Sequence, residues 1–233
     1  MTKTIGIIGG MGPLATADLF RKIILLTEAD CDQKHLHIVV DNNTNIPDRT
    51  AAILNGGVSP MPELTRSAER LKRADADFCI IPCNTAHYFH AALSEVSPLP
   101  ILNMLDETAD ALKRAGVRRA GLLATQGTLK TGLYQQRLSS RGIESVVPDE
   151  AQQELLMKLI YDDIKGGRVR VSVAEMKELL DEMISRGAET FVLGCTELPI
   201  AFERDDYGVP TVDPTAELAK AAIRTAGGRV KGE

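Results

Sequence analysis

The sequence predicts an α/β fold made of two similar halves, each with a parallel sheet, and two observations support this prediction. Short apolar runs of strand length alternate along the 233 residues with amphipathic segments of helical length. Segments of the first half also resemble segments of the second half. Alternating strands and helices are typical of folds in which helices connect parallel strands.

The alternation assigns each predicted element in turn. Eight runs have the length and composition of strands: residues 4–9, 36–41, 78–82, 100–103, 119–124, 143–147, 190–194 and 210–212. Six segments carry apolar residues at helical spacing: residues 14–27, 63–74, 105–115, 149–165, 173–186 and 215–225. Ser172 and Glu175 have the spacing of a capping box, and Gly116, Gly166 and Gly187 stand where helices are expected to end.

Three local alignments indicate an internal duplication. IGIIGGMGPLAT (5–16) aligns with AGLLATQGTLKT (120–131), DADFCIIPCNT (75–85) with GAETFVLGCTE (187–197), and LPILNMLDETA (99–109) with VPTVDPTAELA (209–219). The offsets of 115, 112 and 110 residues are consistent with one alignment that contains small deletions. Chance similarity between βα units is the alternative. We expect one α/β domain from residues 1–99 with 207–233, and a second from residues 100–206.

The composition argues against a macromolecular or membrane partner. The net charge is -5, the hydrophobic content is 44%, and no long block of lysine and arginine occurs. No stretch approaches the roughly 18 apolar residues of a membrane helix. We therefore expect a cytoplasmic protein with a small-molecule partner and with neither nucleic-acid nor membrane binding.

Two of the four cysteines occupy equivalent positions in the two halves. Cys83 and Cys195 each follow a predicted buried strand, at the end where parallel sheets bind ligands. Asn84 and Thr85 after the first cysteine, and Thr196 after the second, are suited to helix capping. A following helix would lower the pKa of each thiol from about 8.5 toward neutrality, which predicts reactive cysteines. Cys79 and Cys31 are instead typical of structural cysteines.

Two other uses of these cysteines remain open at this stage. Cys83, His87 and His90 have the spacing C-x3-H-x2-H, which could share a helix face and bind zinc, although no second ligand pair is near in the sequence. A dithiol redox pair is less favoured because the sequence contains no C-x-x-C.

The N-terminal segment GIIGGMGPLAT and the polar segment DNNTNIPDRT are further candidate site segments. The glycines resemble a phosphate-binding turn, and Asp41 stands where a ribose-binding acid would, but the spacing G-x-G-x-x-G is absent. A tight turn that presents backbone amides to a ligand is the favoured reading. Arg49 offers a planar fork for a carboxylate, and Asp48 could orient a thiol or this arginine. Lys165 alone is typical of a helix C-terminus.

Five motifs occur in one order: GGMGPLAT, IPDRT, PCNTAH, LLAT-GT and GCTE. With them the chain resembles the aspartate racemases of the Asp/Glu racemase superfamily over essentially its whole length. The motif IPDRT and the glutamate after GCT, where glutamate racemases carry histidine, resemble the aspartate branch. The resemblance implies two pseudo-symmetric α/β domains with the active site in the cleft between them, no cofactor or metal, and commonly a homodimer.

The resemblance also implies roles for individual residues. Cys83 and Cys195 resemble the acid/base pair, and Asp48 and Glu197 resemble groups that assist the thiols. The residues that resemble substrate-binding positions are Met11, Arg49, Asn84, Thr85, Thr125, Lys165 and Thr196.

Racemisation gives a chemical reason for two cysteines. Inversion of an α-carbon removes a proton from one face and returns a proton to the other, so one thiolate and one thiol are needed at any moment. The activity that the resemblance implies is the interconversion of L- and D-aspartate without pyridoxal phosphate. Racemisation of glutamate or another amino acid, a nucleotide-dependent oxidoreductase, and a non-catalytic dicarboxylate or amino-acid binding protein are the alternatives.

Overall fold

A computed structural model describes residues 2–233 and contains seven strands and eleven α-helices over this range. The strands are β1 Ile5–Gly9, β2 Ile38–Asn42, β3 Phe78–Ile80, β4 Arg119–Ala124, β5 Glu144–Val146, β6 Thr190–Gly194 and β7 Thr211–Val212. The helices are α1 Pro13–Leu26, α2 Arg49–Leu54, α3 Met61–Arg73, α4 His90–Val96, α5 Met104–Arg114, α6 Gln126–Lys130, α7 Leu133–Ser139, α8 Glu150–Lys158, α9 Val173–Ser185, α10 Leu198–Arg204 and α11 Pro214–Thr225.

The strands form two separate parallel sheets, which confirms the predicted fold class. The first sheet has the order β2-β1-β3 and the second the order β5-β4-β6-β7. An isolated parallel bridge between Cys79 and Ile101 adds a fourth position beside β3. Both sheets therefore place the third strand of their half next to the first, as the internal alignment predicts.

The chain divides into two compact units. Unit 1 comprises the residues up to Glu107 together with Thr215–Glu233, and unit 2 comprises Thr108–Pro214. These boundaries lie eight residues after the expected ones at 99 and 206. The pairing of the strands explains the shift, because residues near Ile101 pair with β3 of unit 1 and β7 pairs with β6 of unit 2.

Unit 1 packs helices on both faces of its sheet. The side chains of Ile5 and Ile7 join a buried cluster with α1 and α11, whereas Ile8 joins a second cluster with α3. This alternation follows from the two-residue period of a strand. Cys83, in the segment that follows β3, belongs to the second cluster.

Unit 2 has one large apolar cluster. It joins Phe191 and Leu193 of β6 to Leu180 of α9 and to Leu198 of α10, and it contains Cys195. Its predicted helix at 149–165 is in fact α8 followed by a π-helical segment, Leu159–Lys165. Among the described helices none combines the length and apolar character that a membrane span requires.

Candidate active site

The candidate site in unit 2 is centred on Cys195, the residue that follows β6. Its side chain is buried, and Sγ donates a hydrogen bond to Oε2 of Glu197 at 3.0 Å. Glu197 is also buried and lies just before α10. The sequence C-T-E therefore brings a thiol and a carboxylate into direct contact at the carboxyl end of a central strand.

Two further groups contact the carboxylate of Glu197. The hydroxyl of Thr196 donates to Oε2 at 3.3 Å, and Nζ of Lys165 lies 3.4 Å from Oε1. Nζ also lies 5.1 Å from the centre of the Tyr161 ring, within cation–π range. Lys165, predicted to hold a substrate carboxylate, is thus adjacent to Glu197 in the described structure.

The expectation that a helix lowers the pKa of Cys195 is wrong. Burial raises the pKa well above its ordinary value, and the negative charge of Glu197 raises it further. The positive charge of Lys165 acts in the opposite direction but is the smaller effect. At neutral pH Cys195 is a thiol, so it is prepared to donate a proton.

The predicted helix caps after the two cysteines are also absent. Glu197, rather than Thr196, is the N-cap residue of α10, and its side chain makes no capping bond. After Cys83 a 3-10 helix, Thr85–Phe89, starts at Asn84, again without a side-chain cap. Glu197 binds the thiol instead, which accounts for the missing cap in unit 2.

The candidate site in unit 1 is the turn that carries Cys83. The backbone N–H of Cys83 donates to the carbonyl of Ile81 at 2.8 Å, and its carbonyl contacts Nδ1 of His87 at 2.9 Å. Cys83, Asn84 and Thr85 are all buried. Their predicted roles in proton transfer and substrate binding stay predictions.

The proposed zinc triad is not assembled as a ligand set. Both ring nitrogens of His87 contact backbone groups, since Nε2 accepts from Met104 N–H at 3.1 Å. His90 Nε2 contacts the carbonyl of Ile101 at 3.1 Å. Within residues 2–233 no cluster of three or more histidine, cysteine, aspartate or glutamate residues has the arrangement of a metal site.

The glycine turn after β1 is held together from within the protein. The N–H of Gly10 donates to Oγ1 of Thr16 at 2.9 Å, and this hydroxyl donates to the carbonyl of Gly12 at 2.9 Å. Gly10 has φ +93°, and a Cβ at this position would lie 2.3 Å from backbone atoms of Asn43. The turn therefore requires glycine for close backbone approach.

Arg49 connects this turn to the polar loop. Its guanidinium donates to the carbonyls of Met11 at 3.0 Å, Pro47 at 3.0 Å and Ile46 at 3.4 Å. The side chains of Met11 and Arg49 are buried. These contacts place Arg49 beside Met11 and give Arg49 a structural role, and the predicted substrate-binding role of both residues stays a prediction.

Two other predicted residues cap helices. Asp48 is exposed and accepts a hydrogen bond from Ala51 N–H at 2.7 Å as the N-cap of α2. Thr125 is buried and accepts from Thr128 N–H at 3.4 Å as the N-cap of α6. Asp41, considered above as a ribose ligand, forms an ion pair with Arg70 at 3.2 Å.

Of the two remaining cysteines, Cys79 has the buried environment predicted for a structural cysteine, whereas that prediction is wrong for Cys31. Cys79 is buried in β3, and burial raises its pKa to about 12. Cys31 is exposed, and all four cysteines are free thiols.

Sequence reasoning missed an ion-pair network that supports the segment of Lys165. Asp163, in the π-helical segment, binds Arg204 of α10 through two hydrogen bonds of 2.7 and 3.0 Å, and it accepts from Val171 N–H at 2.9 Å. π-Helical turns are frequently found at functional sites. No periodicity links Asp163 and Arg204, which are 41 residues apart, so the sequence offers no signal for this pair.

The sequence matches one family over most of its length. A profile of the Asp/Glu/Hydantoin racemase family matches residues 8–222. The chain belongs to this family. The protein is accordingly an isomerase of the amino-acid racemase class, and its substrate is an amino acid.

Relatives and solved structures of this racemase cover nearly the whole chain. The Bacillus subtilis broad specificity amino-acid racemase is 26% identical over 95% of this chain and 97% of its own. The structure of Picrophilus torridus aspartate racemase is 33% identical with a TM-score of 0.85, covering 98% of this chain and 96% of that chain. That of an aspartate racemase homologue from Pyrococcus horikoshii is 26% identical with a TM-score of 0.78, covering 97% and 99%.

Proposed function

We propose that the protein interconverts L- and D-aspartate by a two-base mechanism without a cofactor, with Cys83 and Cys195 as the acid/base pair. The observation that carries the proposal is the buried contact of 3.0 Å between the thiol of Cys195 and the carboxylate of Glu197. A carboxylate that accepts the thiol proton can generate a thiolate and later return the proton. Cys83 occupies the equivalent position after β3 of the other unit.

The raised pKa of Cys195 suits this chemistry. An α-proton of an amino acid is many pKa units less acidic than a thiol, and each unit of mismatch costs about 1.4 kcal/mol. A thiolate whose conjugate acid has a higher pKa is a stronger base, which narrows the mismatch. The nearby positive charge of Lys165 acts against this increase in the pKa of Cys195.

The carbanion also needs stabilisation. In the proposed mechanism Arg49 and Lys165 bind the substrate carboxylates, and backbone N–H groups near Asn84 and Thr196 act as further donors. One well-placed donor of this kind is worth about 3 kcal/mol. Met11, Thr85 and Thr125 complete the proposed substrate contacts, and Asp48 is the proposed assisting group on the side of Cys83.

Two observations support aspartate as the substrate. The solved structures that match at 33% and 26% identity over nearly the whole chain are described as an aspartate racemase and an aspartate racemase homologue. Glu197 also follows GCT where the resemblance to glutamate racemases would require histidine. The protein is further proposed to be a cytoplasmic homodimer. Light scattering of the purified protein measures the oligomeric state.

A broad substrate range is the second candidate, because the Bacillus subtilis relative named above is a broad specificity racemase. Aspartate and glutamate differ by one methylene, which a pocket discriminates by only about 1–3 kcal/mol.

Incubation of both enantiomers of aspartate, glutamate, alanine and lysine in D2O separates the two candidates. Loss of the α-proton signal and chiral chromatography report turnover. Of the four amino acids, only aspartate should react at a high rate. Comparable rates for all four would establish the broad activity instead. Tight aspartate binding without exchange would indicate a binding protein.

A further inference from the structure

His87 joins two backbone segments of unit 1. Its ring is buried, Nδ1 lies 2.9 Å from the carbonyl oxygen of Cys83, and Nε2 lies 3.1 Å from the backbone nitrogen of Met104, the first residue of α5. The ring is also stacked on His90 at 5.6 Å, with 9° between the planes. The histidine therefore lies between the turn of Cys83 and the start of a helix.

The two partners determine which nitrogen carries the proton. Met104 N–H is a donor, so Nε2 must accept and cannot carry a hydrogen. The carbonyl of Cys83 is an acceptor, so Nδ1 must donate. His87 is thus a neutral imidazole protonated at Nδ1, and a doubly protonated ring would lose the bond from Met104.

The bond from His87 completes the fixation of the Cys83 backbone. The N–H of Cys83 is bound to the carbonyl of Ile81 at 2.8 Å, and the carbonyl of Asn84 accepts from the N–H of His87 at 3.0 Å. Because Nδ1–H of His87 also binds the carbonyl of Cys83, the backbone of Cys83 is restrained on both sides of the α-carbon. Since this backbone fixes the position of Cβ, the bond from His87 restricts the positions that Sγ can occupy.

The start of α5 does not depend on His87 alone. Oδ1 of Asn103 accepts from Leu105 N–H at 3.0 Å and from Asp106 N–H at 3.3 Å, so a side chain already caps this helix. Among the described hydrogen bonds, no second donor binds the Cys83 carbonyl in the way that Asn103 supports the start of α5.

We propose that His87 is a positioning residue. The hydrogen bond from its Nδ1–H to the Cys83 carbonyl holds Cys83 in the position from which its thiol transfers a proton. This inference rests on the proposed function of Cys83. It requires no contact between His87 and the substrate.

Two substitutions separate the two bonds of the ring. The amide nitrogen of asparagine takes the place of Nδ1, so His87→Asn keeps a donor for the Cys83 carbonyl and loses the acceptor for Met104. The amide oxygen of glutamine takes the place of Nε2, so His87→Gln keeps the acceptor and loses the donor. His90→Gln keeps a donor for Ile101 and removes the stacked ring, which makes it the matched control.

The first readout needs no substrate. Alkylation of Cys83 by iodoacetamide is followed by peptide mass spectrometry, with Cys195 of the other unit as the internal reference. H87Q should raise the alkylation rate of Cys83 several-fold, because the buried thiol becomes more accessible when the turn loses its bond from Nδ1. H87N and H90Q should leave the ratio of the two alkylation rates unchanged. Thermal unfolding checks that all three variants are folded.

The second readout is the rate of racemisation. H87Q should lower kcat about tenfold or more with little change in KM, because small misplacements of a reacting group cost up to about 10²-fold in rate. H87N should stay close to wild type. Long-range 15N NMR of the wild type should show a protonated Nδ1 and an unprotonated Nε2.

The opposite pattern would overturn the proposal. If H87N were slow and H87Q normal, the histidine would serve only the start of α5. If folded H87N and H87Q behaved alike, or if H90Q reproduced the effect of H87Q, the donated proton would not matter. If wild-type protein racemised no amino acid, the proposed function would fail, and the alkylation ratio and the NMR tautomer would still decide the arrangement of His87.

Discussion

The thiol of Cys195 donates a hydrogen bond of 3.0 Å to the carboxylate of Glu197, two residues further along the chain. Both side chains are buried, and Lys165 lies 3.4 Å from the other carboxylate oxygen. In a medium of low polarity these three charges or partial charges influence one another strongly. Burial, Glu197 and Lys165 together set the proton affinity of Cys195.

Glu197→Gln should lower the pKa of Cys195, because it removes the negative charge that raises this pKa. Cys195 should then be alkylated faster at pH 8 than in the wild type. The rate of racemisation should nevertheless fall by a factor of about 10² to 10⁴, because the carboxylate no longer assists proton transfer. Glu203→Gln, at an exposed position of the same helix, is the control and should change neither rate. Slower alkylation of Cys195 in E197Q would contradict the assigned role of Glu197.

Lys165→Met should have the opposite effect on the pKa of Cys195. The lysine charge lowers that pKa, so its removal should raise it and move the alkylation profile of Cys195 to higher pH. Lys165→Arg keeps the charge and should leave the profile near that of the wild type. The pH dependence of alkylation measures this directly, and an unchanged profile in K165M would mean that Lys165 does not act on the thiol.

The pair between Asp163 and Arg204 should make stability depend on pH. Hydrogen bonds from Arg204 hold the pKa of Asp163 below its ordinary value of 3.8. A carboxyl whose pKa is depressed by folding contributes stability above its unfolded pKa, and this contribution is lost as the pH falls through the folded value. Asp163→Asn should therefore lower the free energy of unfolding at pH 7 by about 2 kcal/mol, less than for a fully buried pair because Arg204 is partly exposed.

Urea unfolding at several pH values tests this difference. The gap between D163N and wild type should shrink as the pH falls below 3.8. Asp162→Asn is the matched control, because its ion pair with Arg168 is exposed and should contribute about 0–1 kcal/mol. A gap for D163N that is independent of pH would show that the ion pair is not its cause.

Gly10→Ala should destabilise the protein by more than the cost of backbone strain alone. A Cβ at Gly10 would meet backbone atoms of Asn43 at 2.3 Å, at a positive φ of +93°. Gly56 also has a positive φ, +63°, but a Cβ there meets nothing within 4 Å. Gly56→Ala should cost about 1–2 kcal/mol from the left-handed conformation. In thermal unfolding, the midpoint temperature of G10A should be clearly lower than that of G56A. Equal losses of stability would contradict the role of close backbone approach at Gly10.

The sequence predicted the order of strands and helices because apolar periodicity reports burial directly. The capping box of Ser172 and Glu175 is present, and a second one, Asp149 with Gln152, was overlooked. The short helices α2, α4, α6, α7 and α10 were not predicted, since segments of five to seven residues show too few turns for periodicity. Residues 100–103 form only a bridge to Cys79 rather than a full strand.

Around Cys195, the sequence indicated which residues lie together but not how their charges shift the pKa of the thiol. Motif order placed Cys195, Thr196 and Glu197 together because they are adjacent in sequence, and the structure adds Lys165 to them. The direction of the Cys195 pKa shift was predicted wrongly because burial and the charge of Glu197 raise this pKa, and the prediction considered neither. Such a balance depends on solvent exposure and on distances that the sequence does not contain.

Deuterium placement during the first turnovers tests the two-base mechanism most directly. L-aspartate is incubated in D2O to a few per cent conversion, and the two enantiomers are separated and analysed by mass spectrometry. The proposed mechanism uses Cys83 and Cys195 as two separate bases. It predicts that the D-aspartate formed carries deuterium while the recovered L-aspartate retains hydrogen, and that the reverse reaction shows the mirror result. Equal deuterium in both enantiomers from the start would contradict the mechanism, because it would require a single base that serves both faces.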